Sequence, residues 1–165
     1  MSNDIHGVVI TVSDSAARGV RPDESGPEAC RILREAGFAV GDPVVVPDSR
    51  PFIAARIREA AASASFVVTT GGTGLAPRDV TPEATRDVID REVPGIVEML
   101  RAEGRNSTPS ACLSRGTAGL VGRCLVVNLP GSPAAVREGL RALVPVLGHA
   151  LRIASGDTEH PDPKG

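Results

Sequence analysis

The residues best suited to chemistry fall into four short clusters: Ser13-Asp14, Pro47-Asp48, the stretch from Gly71 to Asp79, and Asn128 to Pro133. The third begins within Thr69-Thr70-Gly71-Gly72-Thr73-Gly74. There the glycines remove side chains where backbone N–H groups can close around phosphate oxygens, and Thr70 and Thr73 add hydroxyl donors. The segment reads as an anion-binding turn, with a plain tight turn as the simpler alternative for Gly-Gly-Thr-Gly taken alone. No Lys-Ser/Thr pair follows it and its spacing is not GxGxxG, so neither the Walker nor the dinucleotide-fingerprint mechanism applies. Asp48 and Asp79 each follow an interruption just downstream of a strand or of the glycine turn. They could share a Mg2+ over that turn, because a hard cation on triphosphate oxygens needs only one or two carboxylates from the protein. For Asp79 the alternative is structural, since Asp-Val-Thr-Pro could serve to cap a helix at Pro82. Arg78 and Arg115 offer bidentate contacts to phosphate. Of the 18 basic residues only Lys164 is lysine, however, so in an arginine-rich chain either one could equally be a surface residue. His6, His149 and His160 have no Ser or Cys arranged beside them as a nucleophile, which leaves a hydrolytic triad without support.

The elements that must position these clusters follow from hydrophobic periodicity. Val8-Val9-Ile10-Thr11-Val12 is a β-branched run stopping at Ser13-Asp14-Ser15, and Val44-Val45-Val46 and Phe66-Val67-Val68-Thr69-Thr70 repeat the pattern of short buried strands. Between them, Pro27 with Ala29, Ile32, Leu33 and Ala36 predicts one helix, and Phe52, Ile53, Ile57 and Ala60 a second. Strands alternating with helices argue for parallel strands joined by right-handed crossovers, an α/β fold. Beyond the glycines, Thr81 as N-cap with Pro82 at N1 opens another helix. A break at Pro94 divides the apolar positions Val88, Ile89, Ile96, Val97 and Leu100 between two short helices. Residues 111–122 read as a short edge ribbon, residues 124–129 as a further buried strand stopped by Pro130-Gly131-Ser132-Pro133, and residues 134–153 as a final amphipathic helix. In an open α/β sheet ligands sit beyond the carboxyl ends of the strands, so all four clusters are expected in one cleft.

Composition bounds the rest. At 165 residues, with 41% hydrophobic and 23% charged residues, the chain is expected to form one domain over residues 1–155, with a flexible tail over 156–165. Aromatics make up 2%, without Trp or Tyr, and the net charge is -2. Stacking platforms and a broad cationic field are therefore both missing, and nucleic acid is not an expected partner. Phe38, Phe52 and Phe66 are assigned to the core. Cys30, Cys112 and Cys124 are odd in number and scattered, which predicts buried free thiols rather than disulfides or a zinc cage. The first six residues lack the order of a signal peptide and no apolar run approaches ~20 residues, so no membrane association and a cytoplasmic location are expected.

Read together, Thr11-Val12-Ser13-Asp14, Asp23-Glu24-Ser25-Gly26-Pro27, the run from Thr70-Gly71-Gly72-Thr73-Gly74 through Pro77-Arg78-Asp79-Val80-Thr81-Pro82, Leu113-Ser114-Arg115 and Asn128-Leu129-Pro130-Gly131-Ser132-Pro133 closely resemble the MogA/MoaB family of molybdenum-cofactor biosynthesis. The similarity spans about residues 8 to 153 and extends to the G domains of plants and of gephyrin. It implies a three-layer α/β/α domain with a mostly parallel central sheet, assembling as a homotrimer. It also implies Mg2+-dependent adenylylation of molybdopterin, in which ATP and molybdopterin give adenylyl-molybdopterin and pyrophosphate, with hand-over of the product to a molybdenum-insertion enzyme. Carried over by motif, Asp48 and Asp79 resemble the essential acidic pair that holds Mg2+. Gly71, Gly72, Thr73 and Gly74 match the ligand cradle, Ser114, Arg115, Pro130, Gly131 and Ser132 the pterin side, and Ser13 and Asp14 the neighbouring strand end. The alternatives within the resemblance are a MoaB-like paralogue without the main adenylyltransferase activity and a non-catalytic pterin-binding module.

Overall fold

The computed structural model describes residues 5–157. Most of the tail assigned to residues 156–165 therefore lies outside the described residues. Along the chain run β1 (His6–Val12), α1 (Asp14–Ala17), α2 (Ser25–Glu35), β2 (Ala39–Val40), β3 (Val44–Val46), α3 (Arg50–Ala61), β4 (Phe66–Thr70), α4 (Thr81–Arg86), β5 (Arg91–Glu92), α5 (Pro94–Arg105), a 3-10 turn (Pro109–Leu113), β6 (Ala118–Val121), β7 (Cys124–Leu129) and α6 (Pro133–Ser155).

One sheet organises them in the order β2-β1-β4-β7-β6-β5. The short β2 and β3 both pair with β1, at its beginning and its end, and so act as two pieces of one interrupted edge strand. β1, β3, β4 and β7 are parallel, whereas β6 returns antiparallel to β7 and carries β5 antiparallel on its outer side. The ribbon expected over 111–122 is thus corrected in two ways. Its first three residues belong to the 3-10 turn, and β6 lies inside the sheet because β5, a two-residue strand with no hydrophobic signature, covers its edge.

Alternation along the strands separates two cores. Phe66, Val68, Leu125, Val127 and Leu129 face the layer made by α2, α5 and α6, packing against Leu33, Val97, Leu140 and Leu143. Val67, Cys124, Val126 and Ile10 face α3 and α4, against Ile53, Ile57 and Ala84. Every residue of β4 and β7 is buried, as a central parallel strand covered on both faces requires. The result is the expected three-layer α/β/α arrangement with a mostly parallel sheet.

Two core assignments are corrected. Phe52 is 63% exposed, because α3 buries Ile53, Ala54, Ile57 and Ala60, and Phe52 lies one residue, about 100° of helix rotation, off that face. Cys112 is exposed on the 3-10 turn, while Cys30 and Cys124 are buried as expected. The remaining aromatics form an edge-to-face pair, Phe38 against Phe66 with ring centroids 5.4 Å apart. Gly7 makes room for it, since a Cβ there would lie 2.1 Å from the Phe66 ring.

Candidate functional site

β4 ends in the glycine turn. Gly71 and Gly72 have φ of +94° and +68°, a region L side chains rarely adopt. A Cβ on Gly71 would lie 2.3 Å from the Val12 carbonyl oxygen, and one on Gly131 would lie 3.1 Å from the Gly71 Cα. The ends of β1, β4 and β7 therefore converge on this turn so closely that only backbone fits between them. The Gly71 amide donates to the Leu129 carbonyl at 3.0 Å. Among the described residues, the amides of Gly72, Thr73 and Gly74 donate to no protein acceptor. Three consecutive N–H groups without a protein acceptor at a strand end are donors of the kind that bind anions.

The turn rests on a buried polar hub. Asn128, 2% exposed, donates through Nδ2 to Thr69 Oγ1 and Thr85 Oγ1, each at 2.9 Å, and its Oδ1 accepts the Thr117 amide at 3.0 Å. Thr85 donates its own hydroxyl hydrogen bond to the Thr81 carbonyl at 2.8 Å. Thr81 does not cap its helix: it lies inside α4, and its hydroxyl donates to the Gly71 carbonyl at 2.9 Å, so it ties helix to turn. Thr70 likewise faces inward, sharing a 2.8 Å hydrogen bond with Ser25 Oγ, whereas Thr73 lines the cleft described below.

The carboxylates gather around the same turn. Asp14 and Asp48 clamp each other reciprocally, the Asp14 amide donating to Asp48 Oδ2 at 2.8 Å and the Asp48 amide to Asp14 Oδ1 at 3.0 Å. Arg78 donates through Nε to Asp14 Oδ2 at 2.6 Å, so its guanidinium meets a carboxylate. This fixes Asp48 with Oδ1 toward the turn, 3.3 Å from where a Cβ on Gly72 would sit. Asp79 approaches from the other side: its Oδ2 accepts the Ala76 amide at 3.0 Å and would lie 2.8 Å from a Cβ on Gly74. Burial raises the Asp48 pKa above the ordinary carboxylate range. The Asp14 amide opposes that rise, and the charges of Asp14 and Asp79 add to it. Asp14 moves the other way. Its desolvation is outweighed by the Asp48 amide and the Arg78 guanidinium, and its carboxyl is held low.

Two clefts meet at the turn. One, about 490 Å³, is lined by Gly71 to Gly74, Asp79, Ser114, Asn128 and Pro130 to Ser132, with Val97, Leu100 and Leu113 as an apolar wall and Arg101 as its cation. The other, about 610 Å³, is more polar and holds Asp48, Ser13, Asp23 and Ser25, with Arg21 at its rim. Gly71, Gly72, Asp79 and Gly131 border both. Ser132 caps α6 by accepting the Ala135 amide at 3.1 Å, which brings the positive end of a 23-residue helix to the same rim.

Of the residues singled out in the sequence, Ser13, Asp48, Gly71, Gly72, Thr73, Gly74, Asp79, Ser114, Pro130, Gly131 and Ser132 come together on these clefts. Asp14 stands behind Asp48 and lines neither, and Arg115 lines neither, its side chain being bonded to the Gly74 and Asp79 carbonyls. Arg101, Asn128, Asp23 and Ser25 line the clefts without having been chosen as site residues. Asp23 and Ser25 belong to a quoted motif, and Asn128 heads another. Arg101 carried no signal, being one arginine among many on an amphipathic helix.

The family described as "Probable molybdopterin binding domain" matches residues 8–149. The chain is 36% identical over 160 residues to the molybdopterin adenylyltransferase of Helicobacter pylori J99, covering 93% of this chain and 89% of that protein. It is 41% identical over 162 residues to a molybdenum cofactor biosynthesis bifunctional protein of Synechococcus elongatus, covering 98% of this chain and 50% of that protein. The chain spans between a quarter and a half of the length of three of the curated relatives it matches. Among solved structures, the molybdopterin biosynthesis enzyme MoaB of Thermus thermophilus superposes with a TM-score of 0.86 at 47% identity, covering 92% of this chain and 97% of that one.

Proposed function

The chain belongs to the molybdopterin-binding domain family of molybdenum-cofactor biosynthesis, and from that membership we propose that it is a molybdopterin adenylyltransferase, transferring AMP from ATP to molybdopterin with release of pyrophosphate. The observation that carries the reading is the placement of Asp48 and Asp79 beside one glycine turn whose residues with free amides line two adjoining clefts, Gly72 both of them and Thr73 and Gly74 the first.

The donor set fits a divalent cation carried in by a triphosphate. Asp48 and Asp79 each keep one carboxylate oxygen that accepts no protein hydrogen bond among the described residues. Among those residues no group of three His, Cys, Asp or Glu forms a self-sufficient cage. A Mg2+ held by two carboxylates and completed by substrate oxygens suits such a site. When bound there, it supplies charge neutralisation to the phosphates.

The reaction needs no protein nucleophile. A phosphate oxygen of molybdopterin forms a bond to the α-phosphorus of ATP while the bond from that phosphorus to pyrophosphate breaks. The work of the chain is to hold two anions in line and to stabilise the charge spread over the transferring group. Backbone amides of Gly72, Thr73 and Gly74 and the N-terminus of α6 supply fixed dipoles for this without reorganisation. Ser114, Pro130, Gly131 and Ser132 form the pterin side, in the cleft with the apolar wall, and Ser13 belongs to the nucleotide side. The unit is residues 1–155, assembled as a homotrimer in the cytoplasm, with product passing to a molybdenum-insertion enzyme. No described helix is long and apolar enough to cross a membrane.

The test is to incubate the purified chain with molybdopterin and Mg-ATP and follow adenylyl-molybdopterin by mass. Product with equimolar pyrophosphate supports the proposal. Pterin binding without product would identify a binding-only paralogue instead.

A further inference from the structure

Arg115 sits in a motif that suggests a ligand contact, yet its side chain is committed elsewhere. Its Nε donates to the Gly74 carbonyl at 2.7 Å, one terminal nitrogen donates to the Asp79 carbonyl at 2.6 Å, and the other pairs with Glu83 Oε1. Its own amide donates to the Thr73 carbonyl at 2.8 Å. One residue thus grips the turn at Thr73 and Gly74 and again at Asp79, the two ends of a segment whose intervening residues, 75–78, are all exposed. The internal ties of that segment, Asp79 amide to Ala76 carbonyl and Ala76 amide to Asp79 Oδ2, are local; Arg78 ties its exposed side chain to Asp14 and to the Asp48 carbonyl, and Arg115 is the residue that holds the backbone carbonyls at both ends. Glu83, in the first turn of α4, holds the guanidinium in place, and the hydrogen bond from Arg115 is the main cause that keeps its carboxyl low.

We propose that Arg115 is a positioning residue: it closes the loop 73–79 into the shape that aims the Asp79 carboxylate and the Gly74 amide at the site, with Glu83 as its orienting partner. The function assigned to it rests on the adenylyl-transfer reading above. The planar fork is what the geometry demands, since it reaches two carbonyls and a carboxylate at fixed angles. A lysine ammonium, a single point charge, cannot span all three.

The experiment compares wild type, Arg115→Ala and Arg115→Lys, alone and combined with Asp79→Ala, by steady-state turnover and by amide hydrogen exchange. The expected results are a turnover number lowered roughly tenfold to a hundredfold, the scale of a catalytic group displaced by about 1 Å, with the KM for ATP nearly unchanged. Little rescue by lysine should accompany this, and Arg115→Ala added to Asp79→Ala should cost much less than it does in the wild type, only the share that acts through the Gly74 amide remaining. Amides of residues 73–79 should exchange faster while those of β4 and β7 stay protected. A raised KM for ATP with unchanged turnover number, a full multiplicative loss on top of Asp79→Ala, or unchanged exchange over 73–79 would each overturn the assignment. If Arg115→Ala does not fold, Glu83→Gln carries the same readouts. If the wild type makes no adenylyl-molybdopterin, the adenylyl-transfer reading fails, and loop exchange alone still decides whether Arg115 holds the segment.

Discussion

Replacing Gly72 by alanine separates backbone strain from steric conflict at the turn, because the protein contains its own control. Gly72 has φ of +68° and Gly19 has φ of +69°, so an added Cβ meets nearly the same dihedral penalty at each, about 1–2 kcal/mol. The loss of glycine's freedom in the unfolded chain offsets part of this, about 0.4–1 kcal/mol, at both positions alike. Their surroundings differ. Nothing lies within 4 Å of a Cβ at Gly19, whereas at Gly72 it would lie 2.2 Å from Thr81 Oγ1 and 3.3 Å from Asp48 Oδ1. Thr81 is fully buried, and rotating its hydroxyl away breaks its bond to the Gly71 carbonyl. Overpacking of about 1–3 kcal/mol and a lost hydrogen bond of roughly 1 kcal/mol therefore fall on Gly72→Ala alone. Urea unfolding should show Gly72→Ala less stable than Gly19→Ala by about 2–4 kcal/mol. Turnover should fall in the first variant and persist in the second, since only the first displaces Asp48. Equal stabilities for the two variants, or full activity in Gly72→Ala, would refute the reasoning.

Other consequences are open to direct measurement. Asn128→Ala strands the buried Thr117 amide and two threonine hydroxyls, and should cost about 2–5 kcal/mol in thermal or chemical unfolding. Because burial raises the Asp48 pKa, the acid limb of the turnover profile, measured as rate against pH, should lie higher than an unperturbed aspartate would place it. Asp14→Asn, which removes a neighbouring negative charge and frees Arg78, should shift that limb to lower pH. For stability the sign is opposite to that of a salt-bridged carboxylate: ionised Asp48 is a penalty on the folded state that grows as pH rises through its raised pKa. A thiol reagent should label Cys112 rapidly in the native protein and leave Cys30 and Cys124 untouched, since burial pushes those thiols up to about 11 and about 12.

The strands that carry the site were legible because β-branched runs in a doubly covered sheet leave a continuous apolar signature, as in β4 and β7. The pieces that escaped notice are those with no such signature. β2 and β5 are two residues each, held by pairing rather than by burial, and α1 is a single turn on a polar sequence, detectable only from Ser13 as an N-cap to the Ala16 amide. The aspartates and glycines of the site were readable from residue type and position at strand ends. The use made of the arginines was not. Arg78 and Arg115 look alike in sequence, and both could face a phosphate, but which acceptors surround a guanidinium depends on contacts 64 residues away in one case and 32 to 41 in the other. Phe52 shows the same limit on a smaller scale, since a helical period fixes a face only when the centre of that face is known.

The central claim, that Asp48 and Asp79 act as a pair astride the glycine turn, is tested most directly by single-turnover formation of adenylyl-molybdopterin from Mg-ATP by wild type, Asp48→Asn and Asp79→Asn, each confirmed as folded by its thermal transition. The expected outcome is product from the wild type and a loss of roughly a hundredfold or more in each variant. Near-wild-type rates in both variants, or no product from the wild type, would contradict it.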